Sequence, residues 1–309
     1  MVLNLPAKLR SNGQFKQKEI FCMKFPNLFS KIVSLSFIAT IALVSSCKEE
    51  ERLTATDTQD ISEESLTDAY FQDIDDIGGV AIESPDEDQF SGGRTSGTIT
   101  ITDDRLKCAE ITIQATGTLE HPTGLITVDF GAGCVDNRLN VRKGKLKFAY
   151  DGWRFVPGST VTITTENYFI NDIKLEGTRT STNIQGSTSE APKFNVVLSN
   201  GKATFPDGSI AERESNITWE WIRAANPVDD YLIISQASTA EGITRGGRTY
   251  EVSLVDALKY KRFCGIAVDG IKRYIIDGDK EILIDFGDGN CDKSVTVTVN
   301  GVTRNVSVD

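Results

Sequence analysis

Leu125-Ile-Thr-Val-Asp-Phe-Gly-Ala-Gly-Cys134 returns later in the chain as Glu281-Ile-Leu-Ile-Asp-Phe-Gly-Asp-Gly-Asn-Cys291. In both copies alternating apolar residues run into Asp-Phe-Gly, a second glycine follows, and a cysteine closes the stretch. A period of two puts Ile126, Val128 and Phe130 on one side of a strand and Asp129 on the other. Ile282, Ile284, Phe286 and Asp285 repeat the arrangement. Gly131 with Gly133, and Gly287 with Gly289, permit backbone angles that a side chain resists. The stretch therefore reads as a strand entering a tight turn, duplicated within one β domain.

The same period governs the chain beyond Gly97. Ile111 and Ile113 alternate, as do Leu146, Phe148 and Tyr150, then Phe194 to Leu198, Ile217 to Ile222, Tyr250 to Leu254 and Val295 to Val299. Asp151-Gly, Asn200-Gly, Asp277-Gly and Asn300-Gly supply turn signals between them. Short strands without intervening helices predict an all-β, antiparallel, sandwich-like domain over 91–309, with related halves at about 91–190 and 191–309. One helical turn is expected near Val255 to Tyr260.

Ahead of the strands, Leu66, Tyr70, Ile74 and Ile77 recur at three- and four-residue spacing and predict one amphipathic helix from Ile61 to Ile77. Ser62 is expected to cap it and Gly78-Gly79 to stop it, with the remainder of 61–90 as linker.

The N-terminus reads as a targeting segment. Met23 to Lys31 is short and basic, Ile32 to Val44 is uncharged and mostly apolar, and Ser45-Ser46-Cys47 follows. Such an apolar run is shorter than the roughly 20 residues that span a bilayer. The pattern resembles a bacterial lipobox, which implies removal of 1–46, lipid attachment at Cys47, and Met23 as the true start. After that removal the chain carries 27 basic and 43 acidic residues, a balance of −16. Residues 47–90 account for −13 of it, so the acidity is assigned to a flexible tether at 47–60 and the helix and linker after it. The counts offer no basic surface for nucleic acid.

An exported chain meets an oxidising compartment. Setting aside Cys22 and Cys47 leaves four cysteines, which allow three connectivities. Cys108 precedes Phe130 by 22 positions and Cys264 precedes Phe286 by 22, at an offset of 156. The duplicated spacing favours Cys108–Cys134 and Cys264–Cys291, each contributing on the order of 3 kcal/mol.

The lipobox, the two Asp-Phe-Gly-x-Gly…Cys turns, Arg142-Lys-Gly-Lys145, Asn167-Tyr-Phe-Ile-Asn-Asp172 and Leu175-Glu-Gly177 together resemble a family of uncharacterised Bacteroidota (Cytophaga/Flavobacterium-type) outer-membrane lipoproteins. Cys47-Lys-Glu-Glu-Glu51 is similar to the export signal of surface lipoproteins from the same bacteria. The resemblance implies a lipid-anchored, outward-facing protein and carries no activity with it.

Chemistry-bearing constellations are few. His121 is the sole histidine and sits in a turn, and no G-x-S-x-G elbow or phosphate loop is present. Asp285, Asp288, Asn290 and Asp292 form the candidate metal site, with oxygen ligands suited to calcium. Read as an EF-hand from Asp288, the sixth position is Lys293 and the twelfth Val299, which favours a polar hairpin turn and no cofactor. Trp219 and Trp221 share one strand face, and with Trp153 they form a candidate surface for stacking on sugar rings. The expectation is a non-enzymatic surface domain that binds a glycan or an envelope protein. The alternatives are a carboxylate-dependent glycan hydrolase and a purely structural envelope protein.

Overall fold

The computed structural model describes residues 52–83, 95–99, 103–262 and 264–307. The predicted signal segment, residues 47–51 of the tether (Cys47 among them) and the linker from 84 to 94 lie outside them. Among the described residues one α-helix, α1 (Ala55–Glu83), precedes sixteen strands, with a short 3-10 turn at Pro227–Asp229. These are β1 (Thr95–Ile99), β2 (Glu110–Ala115), β3 (Thr123–Asp129), β4 (Cys134–Val135), β5 (Val141–Asp151), β6 (Thr160–Ile170), β7 (Ile173–Asn183) and β8 (Lys193–Thr204). There follow β9 (Ile210–Ile222), β10 (Tyr231–Ile234), β11 (Thr239–Ile243), β12 (Thr249–Lys261), β13 (Ala267–Ile276), β14 (Lys280–Asp288), β15 (Ser294–Val299) and β16 (Val302–Ser307). The all-β, antiparallel reading with one N-terminal helix therefore holds.

The strands form one continuous sheet in the order β1-β2-β3-β5-β6-β7-β8-β9-β10-β12-β13-β14-β15-β16, with β4 on β5 and β11 between β9 and β12. Where a sandwich would place a second sheet, this fold places α1. The helix has 29 residues and is about 43 Å long at 1.5 Å per residue. Ten strands from β3 to β14 span a similar width at about 4.8 Å each. The helix crosses them in reverse order. Its C-terminal half packs on the early strands, where Tyr70, Phe71, Ile74 and Ile77 join Ile113, Ile126, Leu146, Phe148 and Ile163. Its N-terminal half packs on the late strands, where Ile61 joins Val252, Tyr274, Ile282 and Val297.

The helix is longer at both ends than its apolar stripe suggests. The cap is Thr54, not Ser62: the Asp57 backbone N–H donates to Thr54 Oγ1, and Asp57 Oδ2 accepts from the Thr54 backbone N–H. This reciprocal pair is a capping box, and it starts the helix within the stretch expected to be a flexible tether. At the other end Gly78 and Gly79 do not stop it. Both are buried inside the helix, and a Cβ at Gly78 would stand 2.5 Å from Phe148 Cε1. These glycines are notches into which the sheet's side chains fit.

Within the sheet, turn residues behave as their chemistry requires. Asn171-Asp172, Asp277-Gly278 and Asn300-Gly301 have positive φ at both positions and join consecutive antiparallel strands. The segment 255–260 is not helical. It continues β12 through register shifts at Leu254–Asp256 and Asp256–Lys259, bulges that keep it in the sheet.

The duplicated motif recurs as structure. In each copy a cysteine leads into one strand, the Asp-Phe-Gly strand pairs with it, and the second cysteine follows the turn: β2 with β3, and β13 with β14. The Gly131 N–H donates to Asp129 Oδ1, and the Gly287 N–H donates to Asp285 Oδ1, both at 2.8 Å. Both expected disulfides are present, Cys108–Cys134 and Cys264–Cys291, with Cα separations of 5.6 and 5.5 Å. They staple hairpins near opposite edges of one sheet.

Gly78→Ala tests the notch. Alanine gains about 1 kcal/mol of helix propensity, but a methyl pressed against the Phe148 ring typically costs about 1–3 kcal/mol. We expect a lower urea midpoint at unchanged slope. A higher midpoint would remove the packing argument.

Candidate functional site

Buried charge organises the interior. The helix contains nine acidic residues and no lysine or arginine, and the sheet answers with basic side chains on alternate strands. Arg142 of β5 meets Asp73 at 2.7 Å, and Arg179 of β7 meets Asp75 at 2.6 Å. Arg213 of β9 holds Glu64 and, at 2.8 Å, Asp68. Arg248, just before β12, meets Asp57 at 2.9 Å and Asp60 at 3.0 Å, and Lys280 of β14 meets Asp57 at 2.6 Å. The acidity of this region therefore belongs in large part to the folded domain, not to its tether.

Glu64 is the centre of the ladder. Its side chain is 1% exposed and that of Arg213 is 2%. It also accepts from Tyr274 Oη at 2.7 Å and meets Lys272 at 3.2 Å. Burial alone would raise its carboxyl, but Lys272, Arg213 and the Tyr274 hydroxyl together hold it down at about 2. Asp57 is likewise brought to about 2, where Lys280, Thr54 and Arg248 overcome its burial. These ion pairs hold the helix on the sheet.

The surface sites differ. Asp285, Asp288, Asn290 and Asp292 do come together, lining a hollow of about 230 Å³ with Ser294, Thr296 and Asn305. One oxygen of each aspartate is already engaged: Asp285 with the Gly287 N–H, Asp288 with Asn290 Nδ2, and Asp292 with the Ser294 N–H. Among the described residues no group of three or more His, Cys, Asp or Glu side chains converges as metal ligands would. The residues act as turn formers at the end of β14. His121 pairs with Asp151 at 2.5 Å in solvent.

Trp219 and Trp221 are half-buried on β9, on the face that carries Arg213 toward the helix. Strands of 11 to 13 residues are far longer than a helix is wide, so part of this face extends beyond α1. Aromatic and guanidinium groups occupy it. Phe194 stacks on Trp219 at 4.7 Å, and Phe155 meets Phe194 edge-on at 6.1 Å. Arg154 lies 5.5 Å over the Phe155 ring, while Arg223 lies 5.0 Å over Phe155 and 4.3 Å over Trp221. Beside them Trp221, Arg223, Ala224, Pro227, Asp230 and Arg262 line a half-open hollow of about 360 Å³. Asp230 is buried, and its two oxygens accept from Trp221 Nε1 at 3.1 Å and from the Ala224 N–H at 2.8 Å. Trp153 secures the neighbouring turn by donating to the Leu119 carbonyl, and Phe155 of that turn is the ring that meets Phe194.

Two of the three expected tryptophans thus lie at one cluster. The sequence reading missed its arginines. Arg223 follows Trp219 and Trp221 at the same two-residue step, the one local signal that places it with them. Arg154 and Arg262 arrive from distant turns and carry no such signal. The chain matches no described protein family, no characterised protein and no solved structure.

Glu64→Gln tests the ladder. At neutral pH it leaves Arg213 and Lys272 short of a buried counter-charge, an effect of about 3–5 kcal/mol. Because folding lowers the Glu64 carboxyl from 4.5 to about 2, its contribution is complete above pH 4.5 and fades as pH falls to 2. Denaturation across that range should show the gap between wild type and variant closing toward the acid end. A gap independent of pH would contradict the assignment.

Proposed function

We propose that this chain is a lipid-anchored outer-membrane protein whose β domain binds a glycan or another envelope protein without chemical turnover. The anchor is Cys47, reached by removal of 1–46, and Cys47-Lys-Glu-Glu-Glu51 directs the domain to the cell surface. Among the described residues no helix is long and apolar enough to cross a membrane. The observation that carries the binding reading is the aromatic and guanidinium hollow at Trp221. Flat rings and fixed cations recognise ligands by stacking and by hydrogen bonding.

Hydrolysis of a glycan uses two carboxyl groups at a defined separation across the scissile bond. The hollow is lined by one, Asp230, and both its oxygens are engaged by Trp221 and Ala224. This arrangement supports capture over cleavage.

Two measurements on the full chain test the proposal. Cys47→Ser should abolish fatty-acid labelling and release the protein from the membrane fraction, with glycan-array binding retained. Labelling that persists in the variant would overturn the anchor. Release of shortened sugars from a bound glycan would overturn the non-enzymatic reading.

A further inference from the structure

Arg223 is used differently from the arginines of the interior. Arg142, Arg179, Arg213 and Arg248 each face a helix carboxylate. Arg223 instead lies over the Trp221 and Phe155 rings and donates Nη1 to the Ser189 carbonyl at 3.0 Å. Among the described residues, no carboxylate lies within ion-pair distance of it. A guanidinium has five N–H donors, so one held by a ring and a single carbonyl retains others that match a carboxylate in bidentate geometry. Arg262 brings a second cation to the same hollow, held by donating Nη1 to the Pro227 carbonyl at 3.0 Å.

The acidic neighbours are Asp230, Asp229 and Glu190. Asp230 is turned inward onto Trp221 and Ala224, and Glu190 accepts from Ser189 Oγ at 2.6 Å. The lining therefore has two guanidinium groups against one carboxylate. Its remaining walls, Trp221, Ala224 and Pro227, are apolar. A bare inorganic anion would use the cations and leave those walls idle. A ring with a C–H face and an attached carboxylate uses both. The volume, about 360 Å³, falls at the small end of the roughly 300–1,000 Å³ typical of ligand sites.

The geometry points to a carboxylate-bearing sugar ring, a uronate unit of an acidic polysaccharide, as the occupant of the Trp221–Arg223–Arg262 hollow. This rests on the binding reading above and narrows it to a substrate class. A chain of net charge −11, or −16 once 1–46 is removed, has no general attraction for a polyanion, so binding of one must be local to this cationic patch.

The test is binding of trigalacturonate to the full-length protein in detergent, beside neutral galactotriose, benzoate and inorganic phosphate. Trigalacturonate should bind at least roughly tenfold more tightly than each of the other three, and weaken as salt rises from about 0.05 to 0.5 M. Arg223→Gln should reduce its affinity by roughly tenfold or more, with Arg223→Lys intermediate, because lysine keeps the charge but loses the bidentate edge. An unchanged melting temperature in both variants separates this loss from misfolding, and Arg262→Gln provides a second test if Arg223→Gln is unstable. Equal affinity for the neutral trimer, or affinity unaltered in Arg223→Gln and Arg262→Gln, overturns the uronate assignment while leaving glycan binding intact. Binding of benzoate or phosphate as tight as that of trigalacturonate also overturns it. Absence of binding to every saccharide removes the glycan reading as well.

Discussion

The fold depends on a match of charge between one helix and the alternate strands beneath it. Sheet strands that run in the same direction recur every second position, about 9.6 Å apart. Two turns of α-helix advance about 10.8 Å. Arg142, Arg179, Arg213, Arg248 and Lys280 occupy those alternate strands, 32 to 37 positions apart in the chain. Their partners fall in three groups about two turns apart on the helix: Asp73 and Asp75 for Arg142 and Arg179, Glu64 and Asp68 for Arg213, and Asp57 for both Arg248 and Lys280, with Asp60 also on Arg248. Burying a charge without a partner is costly, so each rung fixes helix position as well as attraction. Apolar packing could tolerate a helix displaced by one turn; the ladder does not.

That match explains which parts of the structure were legible. Period-two alternation and Asn-Gly or Asp-Gly turns are local, and the strands appeared where they predicted. The disulfide pairs followed from one spacing repeated at 156 positions, because chain duplication copies local geometry. The helix was harder to bound. Its apolar stripe at Tyr70, Ile74 and Ile77 was visible, but its acidic residues looked like solvated tether. Burial of an acid is decided by an arginine far away, as with Glu64 and Arg213 at 149 residues. Gly78 is a helix-stop signal in most contexts and a packing notch here, because Phe148 lies against it. The Thr54–Asp57 capping box lies in the stretch assigned to the tether and was not recognised there.

The surface cluster follows the same logic. Trp219 and Trp221 declare themselves by alternation on one strand. Their setting does not, since Phe155, Phe194 and Arg262 come from separate segments of the chain. Aromatic residues on the helix-facing side of the sheet would ordinarily be core. They remain reachable because the strands outrun the helix that covers them, so one face supplies both a sealed interior and an open margin. The acidic turn after β14 shows the converse, a clustering of aspartates each of which gives one oxygen to the turn itself.

The position of the helix at the start of the chain has a bearing on how the molecule is assembled. Ladder contacts link residues 69, 104, 149, 188 and 223 apart, in the order in which Arg142, Arg179, Arg213, Arg248 and Lys280 are made. Long separations of this kind ordinarily slow folding, because a large loop must close before its contact forms. Here the acidic rod leaves the ribosome or translocon first, and the later strands meet waiting anions in three groups, Arg142 and Arg179 at Asp73 and Asp75, Arg213 at Asp68 and Glu64, and Arg248 and Lys280 at Asp57. The sheet can be wound onto its spindle in the direction of synthesis, from the Glu83 end toward Ala55. Removing the rod would leave every turn of the scroll with a stranded cation.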